Sequence, residues 1–295
     1  MENKSRSPMK KRLRRTSLLF LSPSLLGVLV FFVLPFFMVV YYSIVSMPVH
    51  GRFVGLDNFK ALFHNAAFLL GLKNTSILCF LAVPLAVMLS LGLALLLDRQ
   101  LPLSGALRTA FLSPMLAPAA SIILIWQVLF HQNGAVNAAL AALGLSGVDW
   151  FHSAWGRMVV VLLYLWRNLG YYILLFTAAL AAVPRDLVDM AAMDGAGPVR
   201  RFFSVKLPCI APTTLFVTML SLISAMKIFR EVFLLTGEYP DESLYLLQHF
   251  MNNTFYSMDY QKLSAAALVL LLIMGVVVAL LFRLERRVGG DIENG

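Results

Sequence analysis

The chain has 295 residues, of which 60% are hydrophobic and 13% charged, with a formal net charge of +9. An ordinary soluble domain carries roughly a quarter charged residues, so this balance excludes one and points to an integral membrane protein. The positive charge does not indicate nucleic acid, because Lys and Arg gather at the ends of apolar segments and form no patch interleaved with aromatics.

In chain order, residues 1–17 form a basic tail with Lys4, Arg6, Lys10, Lys11, Arg12, Arg14 and Arg15. The apolar run that follows is about 27 residues long and lacks a convincing small-residue cleavage site, so it reads as an uncleaved first span and not as a signal peptide. Six stretches reach the roughly 20 helical residues that cross a hydrocarbon core. They are Leu18–Ile44, Asn74–Leu97, Arg108–Phe130, Arg157–Ala182, Cys209–Leu235 and Leu263–Phe282. Backbone groups in lipid must be satisfied internally, and the runs are too long and continuous for barrel strands, so the predicted class is an all-α membrane protein with six transmembrane helices. Residues 18–285 make the membrane domain and 286–295 a short tail. Between the first two spans, residues 54–70 read as a short amphipathic helix at the surface. Pro23, Pro35, Pro84, Pro114 and Pro118 lie within or near the ends of spans and predict kinks.

Basic residues set the orientation. They occupy the N-terminal tail, the second loop (Arg99, Arg108), the fourth loop (Arg185, Arg200, Arg201, Lys206) and the C-terminal end (Arg283, Arg286, Arg287). The alternate loops are poor in them; residues 131–156 have none, and the fifth loop carries Glu238, Asp241, Glu242 and Asp259. Both termini and the 184–208 loop are therefore expected in the cytoplasm.

That fourth loop, PRDLVDMAAMDGAGPVRRFFSVKLP, holds more than a chain reversal needs. Leu187, Met190 and Ala191 share a helical face, with Arg185, Asp186 and Asp189 around it. Gly195 and Gly197 end that helix, and Pro198 suits the first turn of the next, whose apolar stripe is Val199, Phe202 and Phe203. Asp194 is expected to cap the turn that follows it. The stretch resembles the cytoplasmic E-A-A-x-x-D-G-A loop of ATP-binding-cassette import permeases, through Asp189, Met190, Ala191, Asp194, Gly195, Ala196, Phe203, Val205, Leu207 and Pro208. Asp189 stands for Glu and Met190 for Ala, while the spacing from D-G-A to L-P is intact.

Further matches look like the carbohydrate-uptake branch of that family, which includes maltose, lactose and glycerol-phosphate importers. They are GLDNF at residues 55–59, RTAFLSP at 108–114, Trp126, Phe130, Gly134, Asn137, Trp166, Gly170 and Leu180. Where relatives often show a Gly-Gly-x-Pro turn after the fifth span, this chain has TGEYPDES at 236–243. The resemblance implies a type I importer permease bundle (MetI-like), non-catalytic, in the bacterial inner membrane. It implies as partners a second permease subunit, two cytoplasmic ATPase subunits and an extracytoplasmic binding protein. The loop residues that would meet the ATPase are Asp189, Met190, Ala191, Asp194, Gly195, Ala196, Arg200 and Arg201. No G-x-x-x-x-G-K-[ST] phosphate loop occurs, so ATP and magnesium would belong to the partner ATPase and the chain is expected to bind no cofactor of its own.

Charged residues inside spans are costly in lipid and usually face the bundle interior or a water-filled path. Arg167 lies about ten residues into the fourth span, roughly 15 Å at 1.5 Å per residue and near the midplane. Lys227, Arg230 and Glu231 occupy the fifth span, and the i,i+4 spacing predicts a Lys227–Glu231 pair. These residues hold helices together as ion pairs, snorkel to the interface, or line the translocation path and contact sugar hydroxyls or a phosphate, together with Trp166, Asn168, Tyr171 and Tyr172, whose aromatics would stack on a sugar ring or pack in the core. Two cysteines, Cys79 and Cys209, imply neither a disulfide framework nor a zinc site. The five histidines, His50, His64, His131, His152 and His249, fall in predicted outer segments without metal-ligand spacing. A secondary transporter would show inverted repeats, and a membrane enzyme a catalytic constellation; the sequence has neither pattern.

Overall fold

The computed structural model describes residues 8–98 and 104–293. Lys4, Arg6 and Arg99 lie outside the described residues, as do the side chains of Lys10, Lys11, Arg12, Arg14, Arg15, Arg108, Arg286 and Arg287. Regular structure among the described residues is helical, apart from one isolated bridge between Val45 and Phe53. Among the described residues, five helices are long and apolar enough to cross a membrane, or six if one sharply bent pair counts as a single span. The chain divides into two compact units, residues 1–64 with 254–271, and residues 65–253 with 272–295.

In the first unit, α1 (Pro8–Val28) passes through a π turn (Leu29–Val33) into α2 (Leu34–Ser43). The π turn answers Pro35, which has no N–H to donate and whose ring crowds the carbonyl four residues back. The Leu34 N–H reaches back five residues to Leu29 instead, and the helix continues. GLDNF earns its place at the end of α2. Asn58, on α3 (Asp57–Phe63), donates from Nδ2 to the carbonyls of Ser43 and Val45, each at 2.9 Å. The single helix predicted over 54–70 is instead α3 (Asp57–Phe63) and, after a break at His64 and Asn65, the start of the next helix at Ala66.

In the second unit, α4 (Ala66–Asp98) starts eight residues before the predicted second span. Asn65 Oδ1 accepts the Phe68 N–H at 3.0 Å, an N-cap that begins the helix before hydropathy rises. The predicted third span, 108–130, is two helices: α5 (Ser104–Leu116) and α6 (Ala119–Leu129) meet at 104°. Pro118 disfavours helical backbone at Ala117 and is itself extended, with ψ 136°, so the run breaks there despite unbroken hydropathy. A short α7 (Ala135–Ala142) follows, and then α8 (Gly156–Ala181), the central helix, which packs on α4 and α5. At Gly170 a Cβ would stand 1.9 Å from the Phe111 carbonyl oxygen, so α8 meets the α5 backbone directly.

The fourth loop contains α9 (Arg185–Met193), α10 (Pro198–Arg201) and, after a second π turn, α11 (Leu207–Cys209). The fifth span is α12 (Ala211–Met226) and α13 (Phe229–Thr236), interrupted at Lys227–Ile228. The core joins Leu78, Ala82, Tyr164, Tyr172, Phe176, Val217 and Val232. A second cluster gathers the motif aromatics, with Trp126 stacked on Phe130 at 5.2 Å. Asn137 Oδ1 accepts from both Val148 N and Trp150 Nε1 at 3.0 Å, which fixes the 131–156 loop.

The TGEYPDES segment is tied to α4 and α8. Buried Asn74 donates to the carbonyls of Glu242 (2.6 Å) and Tyr245 (3.0 Å) and accepts from Arg157 Nη2 at 3.0 Å. His249 is not in a loop as predicted. It is buried in α14 (Leu247–Tyr256), with Nδ1 accepting the Leu246 N–H at 3.0 Å, and burial pushes its pKa down to about 4. The last helix, α15 (Tyr260–Glu293), carries the sixth span.

Candidate functional sites

The 184–208 loop folds as its residue pattern demands. Pro184, extended at ψ 126°, ends the passage from α8 and starts α9. Asp194 is the C-cap and Gly195 follows at φ +78°, a conformation that glycine adopts without strain. The Ala196 N–H reaches the Ala191 carbonyl at 3.0 Å and the Gly195 N–H the Ala192 carbonyl at 3.1 Å. That pair of bonds is a Schellman cap, so D-G-A is the physical signature of a helix that must stop and turn. Asp194 does not cap the next helix; Gly197 holds that position, without a side-chain bond, and Pro198 begins α10.

No residue of α9 is buried. Its apolar side chains project outward, with Leu187, Met190 and Met193 exposed by 45%, 58% and 81%. Asp189 lies among them, exposed, and Arg200 is exposed and Arg201 half-buried on α10. An unpartnered ridge of Leu and Met beside a carboxylate, on a helix begun at Pro184 and closed by a C-terminal cap, is a surface shaped for docking. One tie was not visible in the sequence: Lys206 Nζ bonds Asp98 Oδ2 at 3.2 Å, anchoring the loop to the end of α4 across 108 residues.

The second site lies between α8, α12 and α13. A cavity of about 430 Å³ is lined by Arg167 and Asn168 of α8, Ser224 of α12, and Lys227, Arg230 and Glu231 around the break in the fifth span. Tyr164 and Gln248 also face it. A neighbouring hollow of about 290 Å³, between Met115, Tyr171, Tyr172 and Leu220, shares Arg167, Asn168 and Ser224 with the first. These three residues therefore form a polar wall common to both spaces.

Glu231, whose side chain is only 8% exposed, holds two guanidinium groups on one oxygen: Arg167 Nη1 and, at 3.1 Å, Arg230 Nη2. The predicted Lys227–Glu231 pair does not form, because the interruption at Lys227–Ile228 removes the continuous i,i+4 register. Lys227 has no ion pair among the described residues. Trp166 lines neither hollow and packs against Trp126, with ring centroids 6.0 Å apart. Tyr164 is placed by its hydroxyl, which donates to the Ser221 carbonyl at 2.8 Å. Tyr164, Ser224 and Gln248 have no sequence signal, since each is an ordinary residue of an apolar or loop segment until three helices bring them together.

Residues 86–290 match the family described as "binding-protein-dependent transport system inner membrane component". The chain belongs to this family. It is 33% identical over 275 residues to the sn-glycerol-3-phosphate transport system permease protein UgpA of Pectobacterium atrosepticum, covering 90% of this chain and 92% of that protein. It is 30% identical over 280 residues to the sulfoquinovosyl glycerol transport system permease protein SmoG of Agrobacterium fabrum, covering 92% and 91%. A chain of a bacterial ABC transporter involved in the import of the acidic polysaccharide alginate superposes with a TM-score of 0.82 at 22% identity, over 95% of this chain and 99% of that one. The fold is that of an ABC-importer permease, and the protein is a multi-pass membrane component of such a transport system.

Proposed function

We propose that this family member is the permease subunit of an ABC importer and forms half of the path for a sugar or related polyol. The observation that carries this reading is the 184–208 loop, a capped and exposed α9 between the fourth and fifth spans. Its Leu187–Met190–Met193 ridge and Asp189 would enter a groove of an ATPase subunit, where Asp189 would meet a cation. The Lys206–Asp98 bond would pass movement of that helix to α4. The chain would have no catalytic role. Two ATPase subunits would supply ATP and magnesium, a second permease subunit would complete the path, and an extracytoplasmic binding protein would deliver the substrate. The distribution of Lys and Arg supports a bacterial inner-membrane orientation with both termini and α9 in the cytoplasm. Carbohydrate as the substrate class is supported by the two relatives, named for glycerol phosphate and sulfoquinovosyl glycerol transport.

Gly195→Val tests the docking role. The φ of +78° is strained for a β-branched side chain, so the Schellman cap is lost and α9 is re-aimed. The span helices do not depend on this turn, and a Cβ at Gly195 meets nothing within 4 Å. Membrane abundance should therefore stay near normal while co-purification with the ATPase and uptake fall at least about tenfold, the equivalent of 1.4 kcal/mol. Gly195→Asn, which tolerates the left-handed region, should retain most of both. Full uptake with the valine variant would refute the docking turn.

A further inference from the structure

The cavity beside the interrupted fifth span has unequal charges. Arg167, Lys227 and Arg230 line it against one carboxylate, Glu231, a formal surplus of two positive charges. The other polar residues on its wall, Tyr164, Asn168, Ser224 and Gln248, are uncharged side chains. A charge that serves only to hold helices together is buried against its partner, as Glu231 is against Arg167, whereas Lys227 and Arg230 are both exposed. Here Glu231 already serves two guanidinium groups through one oxygen, and Lys227 has no carboxylate among the described residues. The surplus is therefore carried by two exposed cations on the wall of one cavity.

On the reading of the chain as an importer permease, we propose that its substrate is an anionic sugar or polyol whose acidic group is received by Lys227 and Arg230. The two cations offer complementary recognition, a compact ammonium with rotatable donors and a planar guanidinium fork suited to two oxygens of one oxyanion. A phosphate monoester, with a charge of about −1.5 to −2 at neutral pH, matches the surplus best; a sulfonate or carboxylate matches half of it. Asn168, Ser224 and Gln248 supply neutral donors and acceptors for hydroxyl groups of the same molecule. Glu231 is the resident counter-charge. It keeps Arg167 satisfied, and the incoming anion takes its place on Arg230, whose side chain is 62% exposed against 23% for Arg167.

The test reads the charge of the cavity directly, in the assembled transporter reconstituted into vesicles. Ser224→Cys is placed in a background lacking Cys79 and Cys209, and its modification by the anionic sulfonatoethyl methanethiosulfonate is compared with that by the cationic trimethylammonioethyl reagent. Relative to the ratio on a free thiol, the anionic reagent should be favoured by at least about tenfold, as expected for a cleft lined by one sign of charge. Lys227→Gln and Arg230→Gln should each reduce that preference by about threefold or more, while Lys227→Arg should preserve it. Glycerol 3-phosphate and glucose 6-phosphate should slow modification, and glycerol and glucose at equal concentration should not. A ratio like that of the free thiol, or equal protection by the neutral parents, would overturn the proposal. Either result leaves the importer reading standing provided that the ATPase subunits co-purify; their absence from the wild-type complex would defeat that reading instead.

Discussion

Arg167 and Glu231 show how a charged residue survives at membrane depth. Each is placed by a separate span, 64 residues apart, and their contact gives the guanidinium a partner and leaves Glu231 almost fully buried. Removing one member of a buried pair strands the other, at a cost of about 3–5 kcal/mol, whereas removing both restores balance. Arg167→Met should therefore lower the abundance of the assembled transporter strongly. Glu231→Gln should lower it less, since Arg167 is partly exposed to the cavity and Arg230 is largely exposed. The double variant should recover much of the arginine defect, yet both singles and the double should lose substrate-stimulated ATP hydrolysis. Additive losses of abundance in this cycle would show that the two side chains act independently.

Among the helices, the close meeting of α8 and α5 is the constraint that the sequence motif encodes. RTAFLSP places Phe111 where its carbonyl faces Gly170, and the space there admits a hydrogen and no methyl group. Gly170→Ala must push the α5 backbone away, since the obstructing atoms are main chain and not a mobile side-chain end; overpacking costs about 1–3 kcal/mol. Gly275→Ala is the control, on α15 with open space around the added carbon, and should be neutral or slightly stabilising. In detergent extracts of the complex, the Gly170 variant should denature at clearly lower temperature than the Gly275 variant. Equal behaviour of the two would mean that α5 and α8 do not meet so closely. The same pair of motifs shows where local reading succeeds. Glycines and prolines act within a few residues of themselves, so Gly195, Pro198 and the end of α8 were legible in sequence order. Pro118 marked a kink but not the 104° break that forms there, because hydropathy continues through it unchanged and only backbone sterics distinguish a kink from a break. The Lys227–Glu231 pairing failed for the same reason, since a spacing of four is informative only in an unbroken helix.

For the whole molecule, length and hydropathy delimited the spans, and basic residues gave their expected order of facing. Long-range chemistry stayed hidden. Nothing local marks Asp98 as the partner of Lys206, Asn74 as the clasp of the 242–245 turn, or Ser224 as part of a wall shared by two cavities. These are products of packing, in which side chains ordinary in their own segments become neighbours. The exposed ridge of α9 is the reverse case, a local pattern whose partner lies in another chain, and the account depends on what covers it. The most direct test places a photo-crosslinking benzoylphenylalanine at Met190 in the intact, transport-active complex, with a second at Leu272, which is exposed on the sixth candidate span. The account predicts that Met190 captures the ATP-hydrolysing subunit in high yield and that Leu272 does not. A fully active transporter in which Met190 captures only lipid, or no protein, would contradict it.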